Sequence, residues 1–222
     1  MILHVPLYIS APFASNSRGA RTEVAYWIFE VEGKFVGVAV GGGSLFCNTI
    51  PLEGEGEAER DLMRNCHTAW GRLNMVKRPI ESDLIARKVH SMYVGEIEDL
   101  QGVNFAFHMD ERFRNALITM LLIPRGRFTT YGELARVLRT SPRVVGSYTA
   151  RNPFPLLVPC HRVIRGDMGI GGYGYGPELK ARLLMLEGVE VDPKRMKVNP
   201  NKLIRSSELV RLREVWGTGN ST

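Results

Sequence analysis

Cysteine is scarce in this sequence. The 222 residues include three cysteines, Cys47, Cys66 and Cys160, and no CxxC pair. An odd number of scattered cysteines argues against the disulfide framework of a small secreted protein. We therefore expect the protein to work in a reducing interior, the cytoplasm, with Cys66 as an ordinary core residue.

Long apolar runs are also missing. No stretch approaches the roughly 18 consecutive apolar residues that a membrane-spanning helix requires, so we expect no membrane partner. The opening segment, MILHVPLYISAPFA, has no positive residue ahead of its apolar part, which disfavours a secretory signal. We predict that this segment forms a first strand.

Paired metal-ligand spacing is absent from the N-terminal half, and we expect neither a metal nor any other cofactor. The glycine-rich stretch at 169–177, GIGGYGYGP, resembles a phosphate cradle but lacks the Lys-Ser/Thr of a P-loop and the strand-turn-helix setting of a dinucleotide site. The possible metal ligands are scattered: His4, Cys47, Cys66, His67 and His90.

Positive charge is plentiful, and it is concentrated in the C-terminal half. The formal net charge is +6. Residues 1–100 hold 10 Lys and Arg against 13 Asp and Glu, whereas residues 101–222 hold 19 against 10. This excess suits a polyanionic partner, because phosphate contacts release counterions, although a solvated basic surface would have the same composition.

The apolar pattern predicts an α/β (α+β) fold. Residues 24–49 consist of short apolar and β-branched clusters separated by turn residues, which is typical of a small antiparallel sheet. Residues 57–75 predict a helix, because Leu62, Cys66, Trp70 and Leu73 recur at helical spacing. Periodicity is lost at about 95–107. We therefore predict an N-terminal α/β domain at 1–100, a C-terminal domain at 101–190 and a basic extension at 191–222.

Three helices are predicted in the C-terminal domain. The first follows MDERFRNALITMLLI and stops at Pro124. The second is capped by Thr129-Thr130 and contains YGELARVLRT. The third begins near Ser141 and Pro142 and ends before Asn152-Pro153. Two short helices around a tight turn indicate a helix-turn-helix whose third helix would be the element that reads DNA, although plain core packing gives the same pattern. The fold class that we expect for this domain is a winged helix-turn-helix.

A cysteine and a histidine are adjacent in the segment NPFPLLVPCHRVI, residues 152–164. A cysteine attacks as the thiolate, so it needs a neighbouring base or cation, and His161 and Arg162 are candidates. Consecutive strand residues point to opposite faces, so Cys160 and His161 act together only if the chain turns there, and Pro159 favours such a turn. A buried cysteine beside a surface histidine is the simpler alternative.

The longer string resembles a known family. PCHRVI preceded by NPFPLLV and followed by GGYGYGPELKARLLMLEG is similar to the active-site signature of the O6-alkylguanine-DNA alkyltransferases. The resemblance extends upstream through IPRGRFTTYGELA and SPRVVG and covers about residues 105–190. It implies stoichiometric transfer of an alkyl group from O6-alkylguanine in double-stranded DNA to a cysteine, by a monomer without a cofactor.

The resemblance also implies roles for individual residues. Cys160 would be the alkyl acceptor, and His161, oriented by Glu187, would take its proton through a water. Tyr131 would contact the target phosphate and the extruded base, and Arg143 would fill the gap in the base stack. The remaining DNA- and base-binding candidates are Gly146, Ser147, Asn152 as a hinge, Val163 and Tyr173.

Three positions depart from the family pattern. Tyr175 replaces a residue that is often small, so we predict a preference for methyl over bulky adducts. Ser147-Tyr148-Thr149 stands where small or apolar residues are usual, which leaves the depth of the recognition helix open. The tail after Gly188 continues with a series of Lys and Arg, and it is either an extra phosphate clamp or a helix packed on the protein.

Three other functions are alternatives. A non-catalytic sensor of alkylguanine, of the alkyltransferase-like type, replaces the acceptor cysteine, usually with tryptophan, whereas Cys160 is present here. A winged-helix transcription regulator would bind DNA without regard to alkylation. A thiol hydrolase using Cys160 and His161 would turn over many times and would need an oxyanion hole.

Overall fold

The computed structural model describes residues 23–96 and 99–219. The predicted first strand at the start of the chain lies outside the described residues, as does His4. The chain divides into two compact units. The first ends at Asp110 but also takes in Arg151–Leu157, and the second combines Glu111–Ala150 with the residues from Val158 onward.

The first unit is built on a four-stranded sheet with the order β3-β2-β1-β4. β1 pairs with β2 and β2 with β3 in the antiparallel sense, as the sequence predicts. β4 pairs with β1 in the parallel sense, so the sheet is mixed rather than purely antiparallel. The strands are β1 (Glu23–Val31), β2 (Lys34–Gly41), β3 (Ser44–Asn48) and β4 (Asn74–Lys77).

Two helices accompany this sheet, α1 (Glu55–Trp70) and α2 (Leu84–Val94). α1 lies close to β2, because Gly37 leaves room for the Leu62 side chain, whose Cβ would be 3.1 Å from a Cβ at that position. The helix ends earlier than the sequence predicts. Gly71, at φ 71°, closes it with a hydrogen bond from its N–H to the His67 carbonyl, and β4 follows.

Cys47 and Cys66 form a disulfide between β3 and α1, with their Cα atoms 5.7 Å apart. Both are buried, which confirms the prediction that Cys66 belongs to the core. The count of three cysteines did not indicate this bond. The residues are 19 positions apart, and only the packing of the helix on the strand brings them together.

Within the described residues, the second unit contains five α-helices and several very short strands. They are α3 (Glu111–Leu121), β5 (Thr129–Thr130), α4 (Tyr131–Leu138), α5 (Pro142–Ala150), β6 (Val163–Ile164), α6 (Pro177–Leu186), β7 (Val191–Asp192), β8 (Lys197–Val198) and α7 (Ser206–Gly219). β5 and β6 pair in parallel, and β7 and β8 form a small hairpin.

Side-chain caps fix the helix pair that the sequence predicts. The Thr130 hydroxyl accepts from the Glu133 N–H at 3.1 Å at the start of α4, and the Ser141 hydroxyl accepts from the Val144 N–H at 3.3 Å at the start of α5. On α5, the ring of Tyr148 stacks on Phe113 of α3 at 5.7 Å. Tyr148 is therefore used for packing, and Arg143 and Ser147 occupy the exposed side of the helix.

The segment Arg151–Leu157 is held within the first unit by Asn48. The Asn48 backbone N–H donates to the Pro153 carbonyl at 3.0 Å, and its side-chain amide donates to the Pro155 carbonyl at 2.9 Å. Phe154 packs edge-on against Phe105, with ring centroids 4.9 Å apart. The segment that ends three residues before Cys160 is thereby held in the first unit.

Within the described residues, no helix is long and apolar enough to cross a membrane. The same part of the chain holds no group of three or more His, Cys, Asp or Glu that could bind a metal ion.

Candidate active site

Cys160 opens a single 3₁₀ turn, Cys160–Arg162, in the second unit. Its backbone N–H donates to the Val158 carbonyl at 2.8 Å, and the Arg162 N–H donates to the Pro159 carbonyl at 3.0 Å. The turn removes the strand alternation that would point consecutive side chains in opposite directions. Cys160 and His161 are both buried, so the exposed histidine of the simpler alternative is not observed.

His161 and Arg162 converge on one carboxylate, that of Glu187. The His161 Nε2 lies 3.0 Å from Oε1 of Glu187. Arg162 binds the same carboxylate with two groups, Nε to Oε2 at 2.8 Å and one terminal nitrogen to Oε1 at 2.7 Å. Its other terminal nitrogen donates to the Ile123 carbonyl at 2.6 Å. This is a bidentate, charge-assisted arrangement that fixes the carboxylate in one orientation.

Burial and charge set the protonation states of this group. Burial lowers the pKa of His161, outweighing the opposite effect of Glu187, so the imidazole is neutral near pH 7. Burial alone would raise the pKa of Glu187, but its partners His161 and Arg162 hold that pKa far below the usual range. The pair is therefore a neutral imidazole facing an ionised carboxylate. Only Nε2 of His161 is engaged, and within the described residues Nδ1 has no protein partner.

Lys180 of α6 is an almost fully buried cation in the same unit. Its ammonium donates to the Val163 carbonyl at 2.7 Å and to the Gly172 carbonyl at 3.2 Å. Burial lowers its pKa to about 8, and the nearby Cys160 acts in the opposite direction. That electrostatic coupling is reciprocal, so a protonated Lys180 favours the Cys160 thiolate.

Tyr131 occupies the first position of α4, directly after β5, and faces the glycine-rich loop. The Lys180 ammonium lies 5.6 Å from the centroid of its ring. A Cβ on Gly171 would lie 3.8 Å from the ring edge, so this loop packs against Tyr131. Burial raises the pKa of Tyr131, and a hydrogen bond with the Thr149 side chain lowers it. The phenol therefore stays protonated at neutral pH.

Comparison with known proteins decides the family. Residues 111–189 match the family model described as 6-O-methylguanine DNA methyltransferase, DNA binding domain. A methylated-DNA--protein-cysteine methyltransferase of Methanocaldococcus jannaschii is 33% identical over 164 residues, which cover 72% of this chain and 92% of that protein. The chain belongs to the methylated-DNA--protein-cysteine methyltransferase family.

Further relatives support this membership. A methyltransferase of the same name from Pyrobaculum aerophilum is 48% identical over 98 residues, which cover 44% of this chain and 63% of that protein. The crystal structure of the O6-methylguanine-DNA methyltransferase from Pyrococcus kodakaraensis aligns with 75% of this chain and 99% of its own, at 31% identity and a TM-score of 0.58. The family, the enzyme class and the mixed α and β fold with a helical DNA-binding domain are confirmed.

The remaining residues that the family pattern nominates are distributed along the chain as follows. Arg143 and Ser147 are exposed on α5, and the Gly146 carbonyl accepts from the Thr149 hydroxyl at 2.9 Å. Asn152 belongs to the first unit, where its side chain accepts from the Phe154 N–H at 3.0 Å and so stabilises a turn.

Two of the nominated residues line the stretch after Cys160. Val163 lies in β6 opposite Thr129, and its carbonyl already accepts the bond from Lys180, which occupies one of its two lone pairs. Tyr173 is half-buried, and its ring meets that of Tyr175 edge-on at 5.6 Å. The two tyrosines of the glycine-rich loop thus form one aromatic pair.

Sequence reasoning missed two parts of this candidate site. Arg162 was considered only as a cation that could stabilise the thiolate, whereas in the structure it forms an ion pair with Glu187. Lys180 was not singled out, because a lysine inside the string ELKARLLMLEG looks like an exposed helix residue. Its apolar neighbours Ala181, Leu183 and Leu184, which are all buried in the structure, were the feature of the sequence that could have indicated a buried lysine.

Proposed function

We propose that this chain repairs double-stranded DNA by moving an alkyl group from O6 of guanine to Sγ of Cys160, once per molecule and without a cofactor. One observation carries the proposal. Cys160 begins a buried turn whose next two residues bind one ionised carboxylate, Glu187, within the stretch that matches the family.

The reaction is an in-line displacement at the alkyl carbon. The thiol gives its proton to His161 through a water on the Nδ1 side, because Nε2 faces Glu187. The thiolate forms the new C–S bond, the C–O bond breaks, and its electron pair passes to the guanine oxygen. Tyr131 donates a hydrogen bond to the departing base, which its protonated phenol allows. The product thioether does not revert, so the protein is consumed.

Glu187 and Lys180 act on the nucleophile in complementary ways. Glu187 orients the imidazole and favours its protonated form while the proton is held, a general arrangement of base and orienting group. Lys180 supplies positive charge in a site with little water, where charge interactions are stronger than in solvent. Both effects stabilise the thiolate during attack.

The DNA contacts follow from the same assignment. A guanine paired in a duplex hides its O6 substituent, so the base must be flipped out at a cost of about a few kcal/mol. We assign Arg143 to the gap in the stack, Tyr173 to the wall of the base pocket, the Val163 backbone to the guanine amino group and Asn152 to the hinge before the active-site loop. Gly146 and Ser147 contact the DNA backbone from α5.

The proposal includes a monomer that works in the cytoplasm, although the Cys47–Cys66 disulfide removes the argument for a reducing interior that the scattered cysteines gave. Cys160, His161, Glu187 and Tyr131 all come from one chain, so a second copy is not needed to complete the site. The chromosome is the substrate, which places the protein inside the cell. The sensor alternative is not favoured, because the acceptor cysteine is present.

Intact-protein mass spectrometry tests the proposal directly. The full chain is mixed with a short duplex containing O6-methylguanine, beside a Cys160→Ala variant. We expect one added methyl group in the wild type, saturating at one per molecule, and none in the variant. Tight binding of the lesion without any change of mass would instead support a sensor, and repeated turnover of an acyl substrate would support a hydrolase.

A further inference from the structure

Glu187 is the C-cap of α6, and three residues from outside the helix lie against the carbonyls of Leu186, Glu187 and Gly188 at this end. A helix leaves its final carbonyls without partners in the helix itself. Here Arg125 donates to the Leu186 carbonyl at 3.0 Å. Gly126, at φ 74°, lies so close to the Glu187 carbonyl that a Cβ there would be 2.8 Å from the oxygen. Lys202 donates to the Gly188 carbonyl at 2.6 Å.

Of these three residues, Lys202 comes from the extension beyond the stretch that matches the family, which ends at residue 189. It closes a 3₁₀ turn, Pro200–Lys202, that Asn199 caps by accepting from the Asn201 N–H at 3.2 Å. Asn199 also binds back to Glu190 through its backbone N–H at 2.9 Å and its side chain at 2.8 Å. The turn is therefore fixed directly beside the end of α6.

The backbone after this turn is also hydrogen-bonded to the residues that precede α4. The Phe128 N–H donates to the Lys202 carbonyl at 3.3 Å, and the Ile204 N–H donates to the Phe128 carbonyl at 2.8 Å. The Thr129 hydroxyl donates to the Ile204 carbonyl at 2.9 Å. β5 contains Thr129 and pairs in parallel with β6, the strand that follows Cys160. The extension runs parallel to the chain at Phe128 on the other edge, through a bridge between Phe128 and Leu203.

An ion pair and a backbone hydrogen bond connect the start of α7 to the rest of the second unit. Arg127 binds Glu208 with two nitrogens, at 2.8 and 3.0 Å. The Ser206 N–H donates to the carboxylate of Glu133 on α4 at 2.7 Å. Since Glu133 lies two residues after Tyr131 in the first turn of α4, the extension contacts the Tyr131 end of α4 as well as the Glu187 end of α6. It is a packed part of the second unit.

We infer that the C-terminal extension is a structural support of the proton relay and that Lys202 is a positioning residue for Glu187. A cation at a helix C-terminus interacts favourably with the partial negative charge there. Through the Gly188 carbonyl it holds the backbone beside Glu187, and so the distance of the carboxylate from His161. The inference rests on the proposed function, because it assigns a support to that same relay.

The test compares Lys202→Met with Lys194→Met in the full chain. Lys194 is an exposed lysine of the same extension and serves as the matched control. Single-turnover methyl transfer from O6-methylguanine DNA is measured across pH, together with the Kd for the DNA. We expect Lys202→Met to lose about tenfold in rate constant, as sub-ångström misplacement of a catalytic group does, with the Kd unchanged, and Lys194→Met to match the wild type.

The pH profile separates positioning from a general loss of folded protein. Three charged groups act on the His161 imidazole in the site: Glu187, Arg162 and Lys180. Glu187 opposes the lowering of the His161 pKa, so a looser carboxylate moves the acidic limb of the profile to lower pH while the plateau falls. Loss of folded protein would lower the plateau without moving the limb. Lys202→Arg, which keeps the charge and the donor, is expected to restore both features.

The outcomes are distinct. No methyl transfer by the wild type would remove the proposed function itself. Wild-type transfer with equal rates and profiles for Lys202→Met and Lys194→Met would overturn the positioning role alone. A lower rate for Lys202→Met with an unmoved acidic limb, or failure of Lys202→Arg to restore it, would also overturn the inference.

Discussion

Removal of the Arg162 side chain should destabilise the fold strongly. The carboxylate of Glu187 is 7% exposed and Arg162 is 14% exposed, so this ion pair is largely shielded from solvent. Arg162→Met deletes both hydrogen bonds to Glu187 and the bond to the Ile123 carbonyl. Breaking a buried pair by removing one partner costs about 3–5 kcal/mol, because the other charge stays buried. In a chain of this size the loss corresponds to a Tm lower by roughly 6–20 °C.

The stability difference between the wild type and Arg162→Met should depend on pH in a defined direction. The pKa of Glu187 in the folded protein lies far below its ordinary value of 4.5. Its ionised form therefore contributes stability that is present above about pH 4.5 and is lost as the pH falls through the folded pKa. In Arg162→Met the pKa of Glu187 in the folded protein rises. The difference in unfolding free energy between the wild type and this variant should therefore be largest at pH 7 and should shrink below about pH 4.5.

Urea denaturation at pH 7 and at pH 3.5 checks the prediction. Arg165→Met serves as the control, since Arg165 pairs with Asp167 at the surface, where solvent screens the interaction and removal has little effect. A loss of less than about 1 kcal/mol for Arg162→Met at pH 7 would refute the reasoning. So would an equal loss at both pH values.

Three further changes have defined outcomes. Lys180 has a pKa of about 8 and favours the Cys160 thiolate while it is protonated, so the rate of single-turnover alkyl transfer should fall above about pH 8. Lys180→Arg should move this alkaline limb of the pH–rate profile to higher pH. A limb that does not move would exclude Lys180 as its cause. Tyr175→Gly opens the aromatic pair of the loop, so reaction with free O6-benzylguanine should rise at least about tenfold while methyl transfer stays near the wild-type rate; faster reaction of the wild type with benzylguanine than with methylated DNA would contradict the size restriction. Replacing both Cys47 and Cys66 by alanine releases a 19-residue loop and should lower the free energy of unfolding by about 3 kcal/mol in urea titrations; an unchanged value in oxidised protein would show that the bond adds nothing.

The helices of the DNA-binding stretch were predictable from local chemistry. Thr130 and Ser141 are short hydroxyl residues that cap helix starts, and Pro142 suits a first turn, so the bounds of α4 and α5 follow closely from the sequence. These signals act over three or four residues. They need no knowledge of the tertiary structure.

Other parts of the fold depended on distant contacts. Leu73 fits the apolar spacing of α1, so the predicted helix ran past Gly71 into what is strand β4. That strand pairs with β1, whose residues lie 51 positions earlier in the chain (Glu23 with Asn74). The Cys47–Cys66 bond depends in the same way on the packing of α1. The resemblance nominated Glu187 as the partner of His161, but no local pattern showed that Arg162 would bind it too.

The course of the chain through its two units has a consequence for biosynthesis. Residues 151–157 complete the first unit, yet they follow helices α3 to α5 in the sequence. The first unit therefore cannot close when residue 110 leaves the ribosome. Asn48 must wait for Pro153 and Pro155 to emerge, by which time the paired helices α4 and α5 are already made. The acceptor Cys160 follows within three residues, so the first unit and the reactive cysteine become available to the folding chain at almost the same moment.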